Sequence, residues 1–216
     1  MVIDSTTSGV AAEPKFQLVG GDLCLDFANT VGGRRGGIAR EKLHGYNDFL
    51  AWCRQAGIVS GPHAATLARK AGREPAVAVE VLARATQLRE SIYGLFAAAM
   101  QRRKPPGPDL DRLNSELAKA LCRLRVAPGN GPTPDFGWSW AAGTGDLDAP
   151  LGPIARAAAD LLTDRHKLAH VRQCGGDNCG WLFLDSTRNH SRRWCDMRDC
   201  GNRAKVRRHR LKLRED

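Results

Sequence analysis

The segment CGGDNCGWLFLDSTRNHSRRWCDMRDC, residues 174–200, carries the most specific structural signal in the chain, because four of the seven cysteines lie in it. These four cysteines follow the pattern C-x4-C-x15-C-x4-C. Two short-spaced thiol pairs joined by a loop supply the four ligands that tetrahedral zinc requires. The sequence therefore predicts one structural Zn2+ per chain, with the ligands Cys174, Cys179, Cys195 and Cys200.

The residues around the cysteines suggest how the pairs meet. Gly180 and Gly201 each follow the second cysteine of a pair, where a tight backbone turn lets amide groups point at sulfur. Between the pairs, WLFLD alternates like a strand and STRN is typical of a turn, so we expect a hairpin. Four protein ligands close the site, so the zinc would stabilise the fold and perform no catalysis. Four buried free thiols, or a redox or iron–sulfur centre, are the alternatives.

A strongly basic segment, NRAKVRRHRLKLR, follows Gly201 and consists of good helix formers. Charges this dense repel one another along an isolated helix, whereas a phosphate backbone neutralises them and releases counterions. Arginine side chains also read guanine edges in the major groove. We therefore predict a helix that binds double-stranded DNA. The predicted contacts are Arg188, Arg192, Arg193, Asn202, Arg203, Lys205, Arg207, Arg208, Arg210 and Lys212.

The overall charge agrees with a polyanionic partner. The chain has 33 basic and 23 acidic residues, a net charge of +10, and residues 151–216 alone contribute 15 basic against 8 acidic residues. Such asymmetry is the electrostatic footprint of a nucleic-acid-binding protein. RNA or a protein partner is the alternative, although few aromatic residues accompany the basic segment, which disfavours stacking on single strands.

The other cysteines and the termini bear on where the protein works. No run of eighteen apolar residues is present, so we expect no membrane partner, and the N-terminus has no signal-peptide pattern. Residues 1–15 are predicted to be a disordered tail, and the protein to be cytoplasmic and nucleoid-associated. Because the cytosol disfavours disulfides, Cys24, Cys53 and Cys122 are expected to be small buried residues.

The patterns outside the cysteine segment predict a mainly α (α+β) fold. Helices are expected from Tyr46 onward, over Pro75–Lys104, over Asp109–Val126 and over Pro153–Val171, with a strand in FGWSWA. Residues 16–37 are expected to form a strand that leads into a short helix. We therefore predict a mostly helical domain, 16–165, and a small zinc-binding domain, 166–216, in which a hairpin is followed by a basic DNA-binding helix.

Polar residues among the glycines of residues 20–35 suggest a ligand pocket for a small-molecule effector. The candidate pocket residues are Asp22, Asp26, Asn29 and Arg34. The alternative is that these side chains cap helices and bind loop backbone. Trp138 and Trp140 are expected to pack in the core, with a ligand site or dimer face as alternatives. No catalytic arrangement is identifiable, which predicts a protein that is not an enzyme; the alternative is catalysis in an unrecognised N-terminal pocket.

Two stretches carry a resemblance to known families. CGWLFLDSTRNHSRRWCDMRDCGNRAKVRRHR, residues 179–210, resembles the bacterial CGNR zinc finger, named for the tetrapeptide present here at 200–203. LVGGDLCLDFANTVGGR, residues 18–34, resembles the opening motif of the alanine- and arginine-rich ABATE domain, described as a stress-induced transcription regulator. The resemblance implies a bacterial transcription regulator that responds to a small molecule or stress. In that reading residues 16–165 are the regulatory or ligand-sensing domain, and residues 166–216 are a treble-type zinc finger with the four cysteines as zinc ligands and the C-terminal segment as DNA binder. A homodimer is expected because one small finger buries little DNA surface.

Overall fold

The structure, a computed structural model, describes residues 16–33, 37–129, 135–140 and 146–215; the predicted tail 1–15 and the side chains of 212, 214 and 215 lie outside that description. The helices are α1 (Leu23–Ala28), α2 (Tyr46–Gln55), α3 (Gly61–Arg73), α4 (Pro75–Met100), α5 (Gly107–Leu121), α6 (Leu151–Thr163), α7 (Arg165–Leu168) and α8 (Asn202–Glu215). The strands are β1 (Val31–Gly32), β2 (Arg40–Glu41), β3 (Leu124–Pro128), β4 (Phe136–Trp140), β5 (Val171–Gln173) and β6 (Leu182–Leu184), and a π-helical turn spans Met197–Gly201.

The core forms around α4, whose interior-facing side chains Leu88, Ile92 and Phe96 are fully buried. Pro75 stands in the first turn of α4, where its missing N–H costs nothing. Helix α6 packs against both α1 and α5, all three pack against α4, and α2 adds aromatic packing of Trp52 on Phe27. The predicted mainly helical fold with short strands is confirmed.

Within the described residues the strands form three antiparallel pairs, β1 with β2, β3 with β4 and β5 with β6. In the second pair the register places Val126 opposite Trp138, and in the third it places Val171 opposite Leu184. None of the helices that the structure describes is both long and apolar enough to cross a bilayer. These strand pairs are short and local, and they are attached to the helical body, defined here as residues 16–165.

Three element boundaries differ from the predictions. The helix expected over Asp109–Val126 ends at Leu121, and the residues after it turn back to form β3 against β4. The helix expected over Pro153–Val171 stops at Thr163, because the extended Asp164 caps α7 by accepting from the His166 and Lys167 amides. In residues 16–37 the helix α1 precedes the strand β1, the reverse of the expected order.

Two predicted burials are also wrong. Cys24 and Cys53 are fully buried as expected, but Cys122 is exposed because it lies just past the end of α5. Trp140 packs against α6 at Gly152, whereas Trp138 is 64% exposed. The β3–β4 hairpin extends beyond the helices, so core packing reaches only its inner end.

The C-terminal module, residues 166–215, is packed against the helical body and is not merely linked to it. Val171 and Leu182, in its hairpin, are buried in the same apolar core as α1, α4 and α6. A second, smaller core contains the four clustered cysteines together with Trp181 and Phe183. The domain boundary at residue 166 stays a prediction, and the packing shows that apolar contacts cross it.

Candidate zinc site and nucleic-acid interface

The four cysteine side chains of the C-terminal module converge on one buried point. Their Sγ atoms all lie within 4.8 Å of one another. The Cys195 Sγ is 3.6 Å from that of Cys179 and 3.7 Å from that of Cys200. A tetrahedral site with Zn–S bonds of about 2.3 Å requires sulfur separations of about 3.8 Å. The residues therefore fit one structural zinc ion, which when bound cross-links the two halves of the module.

The first pair of ligands lies in the loop of the β5–β6 hairpin, defined here as the first knuckle, residues 174–179. The hairpin closes beneath it, since the Cys174 amide donates to the Trp181 carbonyl at 2.7 Å. A hairpin was predicted, but with its turn at STRN after the strand WLFLD. The structure instead pairs that strand with the residues preceding Cys174, which places both thiols of the pair at the hairpin tip.

The second pair lies in the second knuckle, residues 195–200, which continues directly into α8. Asp196 caps the π-helical turn by accepting from the Arg198 amide at 2.7 Å. The loop between β6 and the second knuckle brings the two knuckles together. Hydrogen bonds to Asp185, which is 1% exposed, hold this loop in place. The Asp185 carboxylate accepts from the Thr187 amide and hydroxyl and from the Arg192 amide. Sequence analysis missed Asp185, although a polar residue ending an apolar strand before a Ser-Thr turn is a readable signal.

Backbone amides and one guanidinium approach the sulfurs. The amides of Gly176 and Cys195 point at the Cys174 Sγ at 3.4 and 3.3 Å, and the Arg203 guanidinium lies 3.2 Å from the Cys200 Sγ. The Trp181 amide, directly after Gly180, hydrogen-bonds to the Cys179 sulfur. Gly180 has a positive φ of 73°, whereas Gly201 lies in the π-helical turn against Met197. The amide donor predicted from Gly180 is therefore present, whereas the donors to Cys174 come from other positions.

Gly176 is a second residue that sequence analysis missed. A Cβ at this position would lie 3.2 Å from the Cys200 Sγ and 3.5 Å from the Cys174 Sγ. A side chain at Gly176 would therefore press on the Cys200 sulfur, which would have to shift by a few tenths of an ångström. The adjacent glycines in CGGDNC were the signal available in the sequence.

The proximity of the thiols also explains why they need a cation. Hydrogen bonds from the Cys179 and Cys195 thiols lower the pKa of Cys174, and the same contacts with Cys174 raise the pKa of Cys179 and of Cys195. One thiolate in the cluster therefore opposes ionisation of its neighbours. A divalent cation with four thiolate ligands removes this conflict.

Three of the four candidate pocket residues of the N-terminal domain, Asp22, Asp26 and Asn29, form hydrogen bonds to backbone groups. Asp22 caps α1 by accepting from the Cys24 amide, and Asp26 accepts from the Gly20 amide at 2.7 Å. Asn29 donates to the Leu182 carbonyl and accepts from the Leu182 amide. Arg34 lies outside the described residues. The polar groups of this motif therefore organise α1 and its contact with the C-terminal module.

Further hydrogen bonds attach the C-terminal module to the helical body. The Trp181 indole N–H donates to the Val31 carbonyl at 2.9 Å, and the Leu184 amide donates to the Gly20 carbonyl at 2.7 Å. The Gln173 amide donates to the Tyr93 hydroxyl at 2.6 Å. Backbone acceptors cannot be identified from side-chain patterns, so no pattern in the sequence predicts the docking arrangement.

The predicted DNA contacts form an exposed basic surface on α8 and the loop before it. The exposed members with described side chains are Arg188, Arg193, Asn202, Arg203, Lys205, Arg207, Arg208 and Arg210. The Lys212 side chain lies outside the described residues. Arg192 is half-buried and differs from the others, because its guanidinium stacks on Phe183 and donates to the Trp194 and Val19 carbonyls. It connects the second knuckle to the N-terminal segment.

Two of the exposed arginines also have partners within the module. Arg203 contacts the Asp199 carboxylate at 3.2 Å in addition to the Cys200 sulfur, and Arg207 contacts the Asp177 carboxylate. These contacts fix the start of α8 against both knuckles. Lys205, Arg208 and Arg210 have no ion-pair partner among the described side chains, so their charge faces solvent.

These features define a zinc-binding protein with a helical domain attached to a four-cysteine zinc finger. Residues 21–165 match the ABATE family, described as "Putative stress-induced transcription regulator", and residues 170–212 match the CGNR zinc finger. The chain belongs to the ABATE family and carries a CGNR zinc finger. Both are of regulator or zinc-finger type, and neither description names a reaction. No curated protein matches the chain.

Proposed function

We propose that the protein is a DNA-binding transcription regulator and that α8 enters the major groove. The observation that carries the proposal is the position of α8. It starts at the second knuckle, and its basic residues are exposed along its described length. Its 14 residues correspond to about 21 Å of helix, and a major groove about 12 Å wide admits one helix.

The fixed attachment of α8 supports this role. The zinc site, the Arg203 and Arg207 contacts and the docking of the hairpin give the helix one exit direction from the body. A positioned basic helix loses less conformational entropy on binding than a flexible basic tail does. Arg188 and Arg193, in the loop before the second knuckle, add positive charge for the flanking phosphates.

Salt dependence of duplex binding tests the proposal with the full zinc-loaded chain. Fluorescence anisotropy should show affinity falling with salt with a log–log slope of roughly −4 to −6, if about five or six phosphates are contacted. Replacing Lys205, Arg208 and Arg210 with alanine should weaken binding and reduce the slope by about 2.7. A control that removes Arg54, Arg69 and Arg73 loses the same charge from exposed positions on α2 and α3 and should bind as the wild type does.

A flat salt response, or equal binding by the α8 variant and the control, would exclude α8 as the contact. Competition between duplex DNA and duplex RNA of matched length separates the DNA proposal from the RNA alternative. Preference for RNA would reassign the finger to RNA binding. A chain that binds neither nucleic acid would favour a protein-interaction module.

Regulation by a small-molecule effector is part of the proposal, and a cavity supports it. A cavity of about 320 Å3 lies between the β1–β2 hairpin and the zinc finger. Its walls include Lys42 and Gly32 from the helical body and Trp181 and Arg203 from the finger. A ligand in this cavity would contact both parts and thereby bias the position of α8. The proposed setting is the cytoplasm, at the nucleoid, with the protein acting as a homodimer.

A further inference from the structure

The β3–β4 hairpin presents an apolar face that the helical body covers only in part. Directly paired residues of an antiparallel hairpin share a face, so the register places six apolar residues together. We define this set as the aromatic face; its members are Leu124, Val126, Pro128, Phe136, Trp138 and Trp140. Phe136 is 77% exposed, Trp138 64% and Val126 63%. The other face carries Arg125, Ala127, Gly137 and Ser139.

The inner end of the aromatic face is anchored, which gives the outer end a defined position. Trp140 lies against Gly152 of α6, where a Cβ would come within 3.1 Å of the indole ring. The Arg156 guanidinium lies 4.8 Å from the centre of the Trp138 ring. Large aromatic side chains held outward on an ordered hairpin mark an interaction surface, because monomeric proteins rarely expose contiguous apolar patches.

We propose that the aromatic face is where a second copy of this chain docks, forming a two-fold dimer. This inference deepens the proposed function by naming the surface that forms the homodimer. Phe136 and Trp138 alone expose on the order of 300 Å2. With Val126 and Pro128, which are also exposed members of the aromatic face, the patch reaches about 500 Å2 per copy, or about 1,000 Å2 for a pair. That total meets the lower bound for a specific interface, and a two-fold contact uses the same patch twice.

The charges near the hairpin favour a second copy at this end of the molecule. Arg123 is paired with Asp148 at 2.9 Å and with Asp146 at 3.4 Å, and Arg156 with Asp160 at 3.4 Å. If two copies dock at this end, few unpaired charges therefore face one another across the contact. At α8, by contrast, two copies would bring arginines and lysines together, and like charges repel. Docking through the aromatic face leaves both α8 helices free for two DNA half-sites.

Sedimentation velocity on the full zinc-loaded chain, over the micromolar range, tests the inference. The wild type should sediment as a dimer, and the double variant Phe136→Ser, Trp138→Ser should raise the dimer dissociation constant at least about tenfold. The matched control is Arg125→Ser, Ser139→Ala on the opposite face of the same strands, which should dimerise as the wild type does. Zinc content and far-UV circular dichroism should be unchanged in both, because the replaced side chains are exposed or half-buried at the hairpin.

The inference is overturned if the wild type stays monomeric throughout, or if the aromatic-face variant dimerises with the wild-type constant. If the wild type is monomeric and the aromatic-face variant also loses duplex affinity, the inference is overturned and the aromatic face is assigned to stacking on nucleic acid instead. Anisotropy on the same samples separates this inference from the proposed function. A wild-type dimer that binds no duplex would leave the inference standing and the DNA-binding proposal refuted.

Discussion

Asn29 and Leu182 are joined by two hydrogen bonds across the boundary between the helical body and the zinc finger. The Asn29 Nδ2 donates to the Leu182 carbonyl at 2.8 Å, and the Leu182 amide donates to the Asn29 Oδ1 at 2.9 Å. The side-chain amide thus serves as a strand partner for β6, and Asn29 is only 2% exposed. Because Leu182 lies three residues after the zinc ligand Cys179, this contact sets the position of the zinc site relative to α1.

Replacing Asn29 should therefore weaken the joint between the two parts. Asn29→Ala leaves a buried N–H and a buried C=O of Leu182 unpaired, which costs about 2–4 kcal/mol of unfolding free energy. Asn29→Asp should cost at least as much, since a carboxylate cannot donate to the Leu182 carbonyl. Urea unfolding measures the loss, and zinc release to a chelator should also become faster.

The exposed Asn47 on α2 provides the control for this prediction. Asn47→Ala should change the unfolding free energy by less than about 0.5 kcal/mol. Equal effects at the two asparagines would show that the Asn29–Leu182 contact does not hold the finger.

Loss of one zinc ligand should unfold α8 but not the helical body. Cys200→Ser leaves three thiolates, so the chain should no longer retain its zinc, and α8, which starts two residues later, should lose its attachment. Metal analysis and far-UV circular dichroism check the two effects. Cys122→Ser, at the exposed cysteine outside the site, should keep about one zinc per chain. A Cys200→Ser protein with full zinc content would contradict the four-cysteine site.

Because the backbone of the first knuckle passes close to the cysteine sulfurs, substitutions at Gly175 and Gly176 should differ in their effect on zinc affinity. Gly176→Ala would place its Cβ 3.2 Å from the Cys200 Sγ, which should displace the ligand and lower zinc affinity at least about tenfold. Gly175→Ala meets only the Arg193 carbonyl at 3.4 Å and should be tolerated. Competition with a chromogenic chelator measures both affinities. Equal affinities would show that the knuckle adjusts without strain.

Arg203 and Arg210 should separate zinc support from nucleic-acid binding. Because the Arg203 guanidinium contacts the Cys200 sulfur and Asp199, Arg203→Ala should speed zinc release as well as weaken DNA binding. Arg210→Ala, with no ion-pair partner among the described side chains, should weaken DNA binding and leave zinc release unchanged. Stopped-flow chelation and anisotropy provide the two measurements. If both variants release zinc at the wild-type rate, Arg203 is not a support of the site.

The sequence predicted the zinc ligands because a metal site depends on residue type and spacing, which are written in the chain. It also predicted the helical body, since the apolar stripe of α4 is long and regular. The boundaries after α5 and α6 were wrong because helical spacing of leucines continues past Leu121, while tertiary pairing of Leu124 with Trp140 favours a strand there.

The docking of the finger was not predictable for a different reason. Asn29 and Trp181 contact backbone carbonyls at Leu182 and Val31, and any residue offers such a group. The sequence placed Asn29 among candidate pocket residues because polar side chains in a glycine-rich motif have the same composition whether they bind a ligand or backbone. Only the fold, which brings residue 29 to residue 182, separates the two.

Asp26 should make stability depend on pH. Burial raises the pKa of its carboxyl to about 6, despite opposing hydrogen bonds from the Gly20 and Val19 amides. In the unfolded chain an aspartate titrates near 3.9, so between about pH 4 and 6 the folded state binds a proton that the unfolded state does not. Asp26 therefore favours folding at low pH, and this contribution is lost as the pH rises through about 6.

Asp26→Asn should remove this dependence while keeping an acceptor for the Gly20 amide. The free energy of unfolding of the wild type relative to the variant should rise by about 1–2 kcal/mol as the pH falls from about 7.5 to 5. Urea unfolding at saturating zinc, compared pH by pH, measures the difference and cancels proton competition at the thiols, which is common to both proteins. If the two pH profiles are parallel, the carboxyl of Asp26 has the same pKa in the folded and unfolded states. Burial of this carboxyl against the Gly20 backbone then does not disfavour its charged form.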